Sequence, residues 1–198
     1  MRKILLAATL MLLCIMNVCA QNDASASIPV SSQNLKGIWN AGKEFQAQLA
    51  NYVANENMDV KFMLSFGDKS ELTIAVPIKV TTQGMTLSVS FRIPGTYSLS
   101  GQDVKAQFDK EKILCEVTDI EGDNPDIQAM TKDEASRKML IAMLNNMIKN
   151  ELKDEFEDIT PLSDVFGNFT VKSLTATQMV LIQGDEKQEV SFDRYETR

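Results

Sequence analysis

The chemistry open to this chain is set first by a residue it lacks. Its 198 residues include no histidine, which removes the commonest general base near neutral pH, the usual zinc ligand and the middle member of a Ser-His-Asp triad. A serine or threonine nucleophile would then need a lysine to activate it, and no Ser-x-x-Lys occurs. Carboxylates are plentiful, with 27 Asp and Glu against 20 Lys and Arg. A glycosidase-type pair must flank a scissile bond, and nothing marks one out: Glu151, Asp154, Glu155 and Glu157 read as a solvated helix face. Asp119, Glu121, Asp123 and Asp126 could offer oxygens to calcium, but they lack the spacing and terminal bidentate Glu of an EF-hand and read as an ordinary acidic loop. No catalytic residue, metal ligand or cofactor site is expected, and the chain is read as a non-enzyme.

Sulfur is the other reactive element. Cys14 and Cys19 fall in an N-terminal leader, which leaves Cys115 without an intramolecular disulfide partner. It alternates with Ile113 and Val117, the setting of a buried, inert thiol. Met139, Met143 and Met147 recur at i, i+4 and i+8, so they share one face of a helix. Methionine is soft and adaptable. The row reads either as a wall lining an apolar cavity or as a helix packed on, or plugging, a barrel, and the second reading is preferred.

The elements that hold these residues begin after residue 20. Arg2 and Lys3 precede an apolar run from Ile4 to Met16, and Val18-Cys19-Ala20 supplies small residues at a cleavage site, the pattern of a signal peptide. The protein is therefore expected to be exported, to the periplasm or the outside. A lipid anchor on Cys19 is the less favoured form, because Val18 and Met16 fit that signal poorly. Cleavage leaves 178 residues, enough for one domain with a real core, and takes the formal charge from −7 to −9. So acidic a chain does not suit nucleic acid or anionic lipid. Residues 21–34, small and polar, read as a disordered leader, and residues 35–198 as the domain.

Within the domain, Phe45, Leu49, Tyr52 and Val53 fall at helical spacing over 43–53. Phe62, Leu64 and Phe66 alternate, then Leu72 to Val80, then Met85 to Ile93, with turns at Gly67-Asp68 and Gln83-Gly84; this predicts a three-strand antiparallel meander. Pro77 predicts an edge or a bulge. Pro94-Gly95 is expected to break the run, and short strands follow at Tyr97–Leu99, Val104–Phe108 and Ile113–Val117. Apolar residues from Met139 to Phe156 at i, i+3, i+4 and i+7 predict a long amphipathic helix over 132–156, with Thr131 as N-cap and Glu134 completing a capping box. Three more strands follow, around Phe169–Val171, Met179–Ile182 and Val190–Phe192, with a turn at Gly184-Asp185. Nine or ten strands in near-continuous hairpins favour a closed barrel, which leaves few edges unpaired.

Leu35-Lys36-Gly37-Ile38-Trp39, then Pro94-Gly95-Thr96-Tyr97, then Leu174-Thr175 running to Met179-Val180-Leu181, together with Arg194 near the end, resemble a family of secreted lipocalin-like (calycin-type) domains from Gram-negative gut bacteria. The likeness spans residues 35–195. It implies a mainly β fold: an up-and-down antiparallel β-barrel, with one long amphipathic helix inserted before the last three strands. It also implies that Arg194 packs over the indole of Trp39, a favourable cation–π contact. The chain departs from lipocalins proper in having no disulfide and in placing its helix before three strands rather than one. The ligand chemistry of that family is not carried over.

Two functions compete, and binding of a small apolar molecule in an empty barrel cavity is the favoured one. A barrel not filled by side chains can hold one apolar molecule, and Leu72, Ile74, Val76, Leu87, Val89, Phe91 and Tyr97 are its candidate lining. A filled barrel would instead serve as a structural or interaction protein, meeting another envelope protein through its outer face or its helix. An exposed apolar patch over a packed interior favours the second.

Overall fold

The computed structural model describes residues 26–47, 58–152, 166–183 and 188–195. Residues 1–20, read as a signal peptide, the positions Leu49, Tyr52 and Val53 of the expected 43–53 helix, and the turn expected at 184–185 lie outside them, as do Phe156 and the carboxylates Asp154, Glu155 and Glu157; the side chain of Glu151 is likewise not described. The described chain forms ten strands: β1 Gly37–Ala41, β2 Met58–Val60, β3 Met63–Phe66, β4 Glu71–Thr82, β5 Met85–Ser100, β6 Asp103–Phe108, β7 Leu114–Gly122, β8 Asn168–Leu174, β9 Gln178–Gln183 and β10 Gln188–Arg194. Three α-helices accompany them, α1 Ser32–Leu35, α2 Pro125–Thr131 and α3 Glu134–Leu152, and residues 43–47, the described part of the helix expected over 43–53, are helical as well.

Every pairing is antiparallel, and eight strands close on themselves in the order β1-β3-β4-β5-β6-β8-β9-β10, with β10 returning to β1. Within that ring each strand neighbours the next one in sequence, so the barrel is up-and-down. β2 and β7 are excursions outside the ring, and α3 precedes the last three strands, as the sequence implies. Inward residues are apolar (Leu72, Ile74 and Val104 on β4 and β6), while their outward neighbours Thr73, Asp103 and Lys105 are polar. No helix among the described residues is long and apolar enough to cross a membrane.

β4 and β5 are far longer than the rest because they serve two structures at once. Their hairpin turns at Gln83-Gly84, both with positive φ (48° and 75°), the geometry that two-residue hairpins require. On one side, β4 pairs with β3 up to Ala75 and then with β2 from Ile78. On its free side β5 pairs with β7 up to Arg92 and then with β6 from Gly95. Pro77 and Pro94 sit at these two changes of partner. Their carbonyls still accept, from the Lys61 and Asp109 N–H groups (2.9 and 2.8 Å), but each position falls between two ladders, so a missing N–H costs little. This corrects both proline expectations: Pro77 lies in an interior strand, and Pro94-Gly95 does not break β5, which runs unbroken to Ser100. Gly95 is needed there, since a Cβ would lie 2.4 Å from the Gln107 carbonyl oxygen. Outside the ring, β2, the far half of β4, the first half of β5 and β7 thus form a four-stranded extension.

Other local expectations are also corrected. Part of the stretch read as a disordered leader lies against the barrel: the Ile28 N–H donates to the Leu174 carbonyl (2.8 Å), and Ile28 and Val30 pack on the core. Ser31 caps α1 by accepting from the Asn34 N–H at 3.2 Å, and α1 inserts the fully buried Leu35. The N-cap of α3 is Asp133, whose carboxylate accepts from the Ser136 N–H (2.8 Å) and hydroxyl (2.7 Å); Thr131 ends α2, its hydroxyl donating to the Ile127 carbonyl. The 121–126 acidic loop is shorter than expected, because β7 reaches Gly122 and α2 begins at Pro125.

Candidate functional site

The barrel interior is built of large side chains. At one end Trp39 on β1 is fully buried, and its indole N–H donates to the Leu35 carbonyl (2.7 Å). Trp39 and Arg194 are cross-strand partners. The guanidinium lies 4.5 Å from the indole centroid and donates to the Asn34 carbonyl (2.5 Å), the stacking expected of these residues. At the other end Phe62 stacks on Phe166 at 5.0 Å and tilts against Phe45 (5.5 Å) and Phe192 (6.3 Å). Aromatic pairs at such distances gain beyond their area burial. Phe66 meets the edge of Tyr97 at 5.3 Å.

The seven candidate lining residues fall in two places. Leu72, Ile74, Val76 and Tyr97 belong to this barrel core, and Phe91 packs half-buried against it. Leu87 and Val89 do not reach the barrel: they lie on the extension in a second cluster with Val117, Cys115 and the α3 residues Ile141 and Leu144. Period-two patterning put all of β5's odd residues on one face. It could not show that the face leaves one set of neighbours and joins another at Pro94.

Three polar side-chain groups in the barrel strands are buried without hydrogen-bond partners. They are the Tyr97 hydroxyl, on a residue 5% exposed, the Gln183 side-chain nitrogen, on a residue 4% exposed, and the Arg194 Nε beside the Trp39 indole. Gln183 shares strand parity with Met179 and Leu181, so a glutamine on an otherwise apolar face was the signal that sequence reading passed over. A buried polar group normally finds a partner.

The second candidate surface is α3. Ile141 and Leu144 hold it on β7, aided by two polar fastenings. Arg137 donates to Asp119, and this hydrogen bond draws the Asp119 carboxyl below its usual range, helped by the Ile120 N–H and opposed by burial. Asn145 donates to the Val117 carbonyl (3.2 Å) and accepts from the Val117 N–H (2.6 Å). It thereby occupies the open edge of β7 as another strand would, at the bulge that leaves Thr118 unpaired. Asp119 covers the next donor by accepting from the Ile120 N–H.

The far side of α3 carries Met139, Met143 and Met147, exposed by 75%, 54% and 53%. Both sequence readings of that row are corrected: it neither lines a cavity nor packs on the barrel. Ile141 and Leu144 sit roughly opposite on the helical wheel, and the sheet took that face instead. The same exposed side carries Ala142, and it is bordered by Lys138, which pairs with Glu134 one turn earlier (3.1 Å).

Cys115 sits beneath α3, its thiol pushed up to about 11 by burial and then by the Glu116 charge. Among the described residues, no three His, Cys, Asp or Glu side chains gather as metal ligands. A hollow of about 630 Å³ on the outer surface runs past Glu71, Thr73, Pro94 and Gln107. It is lined by outward polar residues and the Asp109–Lys112 ion pair, and none of its lining residues holds a buried unpartnered atom. No protein-family model matches the chain, and no curated protein matches it.

Proposed function

We propose that the protein is an exported, non-catalytic binding module whose barrel is a rigid scaffold and whose binding surface is the outer face of α3. The observation that carries this reading is the row Met139, Met143 and Met147, left in solvent although the helix has a second apolar face already docked. Exposed apolar patches of this kind mark interaction sites, and methionine suits a surface that must adapt to its partner. The partner we infer is an apolar segment of another envelope protein. The acidic chain argues against anionic lipid and nucleic acid. The absence of histidine and, among the described residues, of any group of three or more gathered carboxylates supports a non-catalytic role, and the Arg194–Trp39 stack supports kinship with secreted lipocalin-like domains.

The test is photocrosslinking in the native cell, with the reactive group at position 143 and, as control, at Lys79 on the opposite sheet face. A discrete adduct at 143 only, to one identified protein, lost on Met139→Glu with Met147→Glu, is the expected result. Equal labelling at both positions would refute the reading.

A second reading rests on the Tyr97 hydroxyl and the Gln183 amide: a small, mainly apolar molecule inside the barrel, touching Leu72, Ile74, Val76 and Tyr97, would give these groups their partners. Native mass spectrometry of gently purified protein checks it. A mass excess lost on organic extraction supports a carrier, and a bare chain mass removes it.

A further inference from the structure

Helix α3 sorts the sulfur atoms of this molecule into two kinds. On its inner side Cys115 is held among Val117, Ile141 and Leu144, and with its thiol raised to about 11 little thiolate exists near neutral pH. The thiolate is the reactive form, so this cysteine is poorly disposed to react. On the outer side stand Met139, Met143 and Met147, and on α2 Met130 is 54% exposed. Met179, in the barrel, is fully buried, while Met58, Met63 and Met85 are half-buried in strands.

Oxidising a methionine normally harms a protein because a polar, chiral sulfoxide replaces an apolar side chain in a core or interface. None of these four helix methionines belongs to either core cluster. Their oxidation adds a dipole where water already is. The four most exposed thioethers of the described chain are thus those whose oxidation costs the fold least, and they stand outside the one thiol that the same helix covers.

We propose that Met130, Met139, Met143 and Met147 form an oxidation site that takes oxygen atoms from hydroperoxides or hypohalous acids and thereby spares Cys115 and the barrel. With hydrogen peroxide the sulfur lone pair attacks one oxygen and the O–O bond breaks. The sulfur is oxidised by two electrons to the sulfoxide, and the departing hydroxide takes the remaining proton and leaves as water. With hypochlorous acid the products are sulfoxide, chloride and a proton. A dithiol-dependent sulfoxide reductase reverses the step, releasing the oxygen as water while two thiols become a disulfide. The site is a property of the free chain, and it stands whether or not a partner also uses this face.

The experiment treats the purified protein with about two to four equivalents of hypochlorous acid, maps oxygen by peptide mass, and compares the wild type with a variant in which the four methionines are leucine. In the wild type most of the oxygen should fall on the four helix methionines, roughly tenfold ahead of Cys115 and Met179. The oxidised protein should keep its circular dichroism and melting temperature, and reductase with dithiothreitol should remove the added mass. In the leucine variant the same dose should reach Cys115 and the strand methionines. If Cys115 is oxidised first in the wild type, if both proteins lose Cys115 at the same dose, or if oxidation of the row unfolds the chain, the proposal is overturned. Variant folding is checked by its untreated spectrum. Should the leucine protein not fold, Met→Gln at the same positions replaces it, since these sites face water.

Discussion

The closed barrel and the extension with α3 are made from the same two strands, yet they solve the burial problem differently. In the barrel, β4 and β5 have neighbours on both sides in an unbroken ring, and side chains such as Leu72, Ile74 and Ile93 lose all contact with water. In the extension the same strands run on as an open sheet with β2 and β7 at its edges. There the cluster beneath α3 gathers half-buried residues around one buried residue, Val117. A ring removes edges altogether, whereas an open sheet must cover them piece by piece, as Asn145 and Asp119 do along β7. The difference teaches where each property sits: stability in the ring, adaptability and exposed chemistry on the extension.

Substitutions can break or sharpen this contrast. The largest effect is expected from Trp39→Ala, which deletes a fully buried indole, its hydrogen bond to Leu35 and the Arg194 stack; a loss of about 3–5 kcal/mol, read by circular dichroism in urea, is expected across the whole molecule. Leu144→Ala removes a half-buried anchor and should cost about 1–2 kcal/mol. Hydrogen exchange should rise over residues 134–147 while amides of β8 to β10 stay protected; equal loosening of both would mean the two regions are one cooperative unit. Asn145→Leu uncovers the Val117 N–H and carbonyl, at about 1 kcal/mol, and size-exclusion chromatography should show self-association through β7.

Acid should act on the extension before the barrel. Asp119 has a lower pKa folded than unfolded, so its bond to Arg137 contributes stability at pH values above the ordinary carboxylate range. That contribution is lost as pH falls through the depressed folded value. Exchange in α3 followed from pH 7 downward should rise in that acid window, and Asp119→Asn should flatten the response. The smallest effect is expected from Met139→Lys: under about 0.5 kcal/mol by thermal melting, because the side chain touches no core.

The ring was far more legible in the sequence than the extension, for a physical reason. Alternation in Phe62–Phe66, Leu72–Val80 and Met85–Ile93 reports which face a residue occupies, and the barrel has a single inside, so face and site coincide there. Trp39 and Arg194 were legible as a pair because they lie at opposite ends of the likeness. In the extension, face alone does not say what covers it. Leu87 and Val89 share parity with Tyr97 but lie under α3, and the methionine row, which suggested burial by its apolar character, faces water because Ile141 and Leu144 compete for the same sheet. Pro77 and Pro94 misled for a related reason. A proline marks a missing ladder bond, and a strand changing partners supplies such a gap as readily as an edge does.

The junction of β1 with β10 has a consequence for the order in which the molecule assembles. Arg194 donates to Asn34 across 160 positions of chain, and bringing such distant residues together costs about 4–5 kcal/mol in loop-closure entropy. The Asn145–Val117 clasp spans 28. During synthesis the short-range hairpins and the docking of α3 can form while the ring still lacks β10. Closure then waits for Gln188–Arg194, so the region that is strongest once formed is completed last, and a nascent chain stays an open, threadable sheet until its final strand arrives.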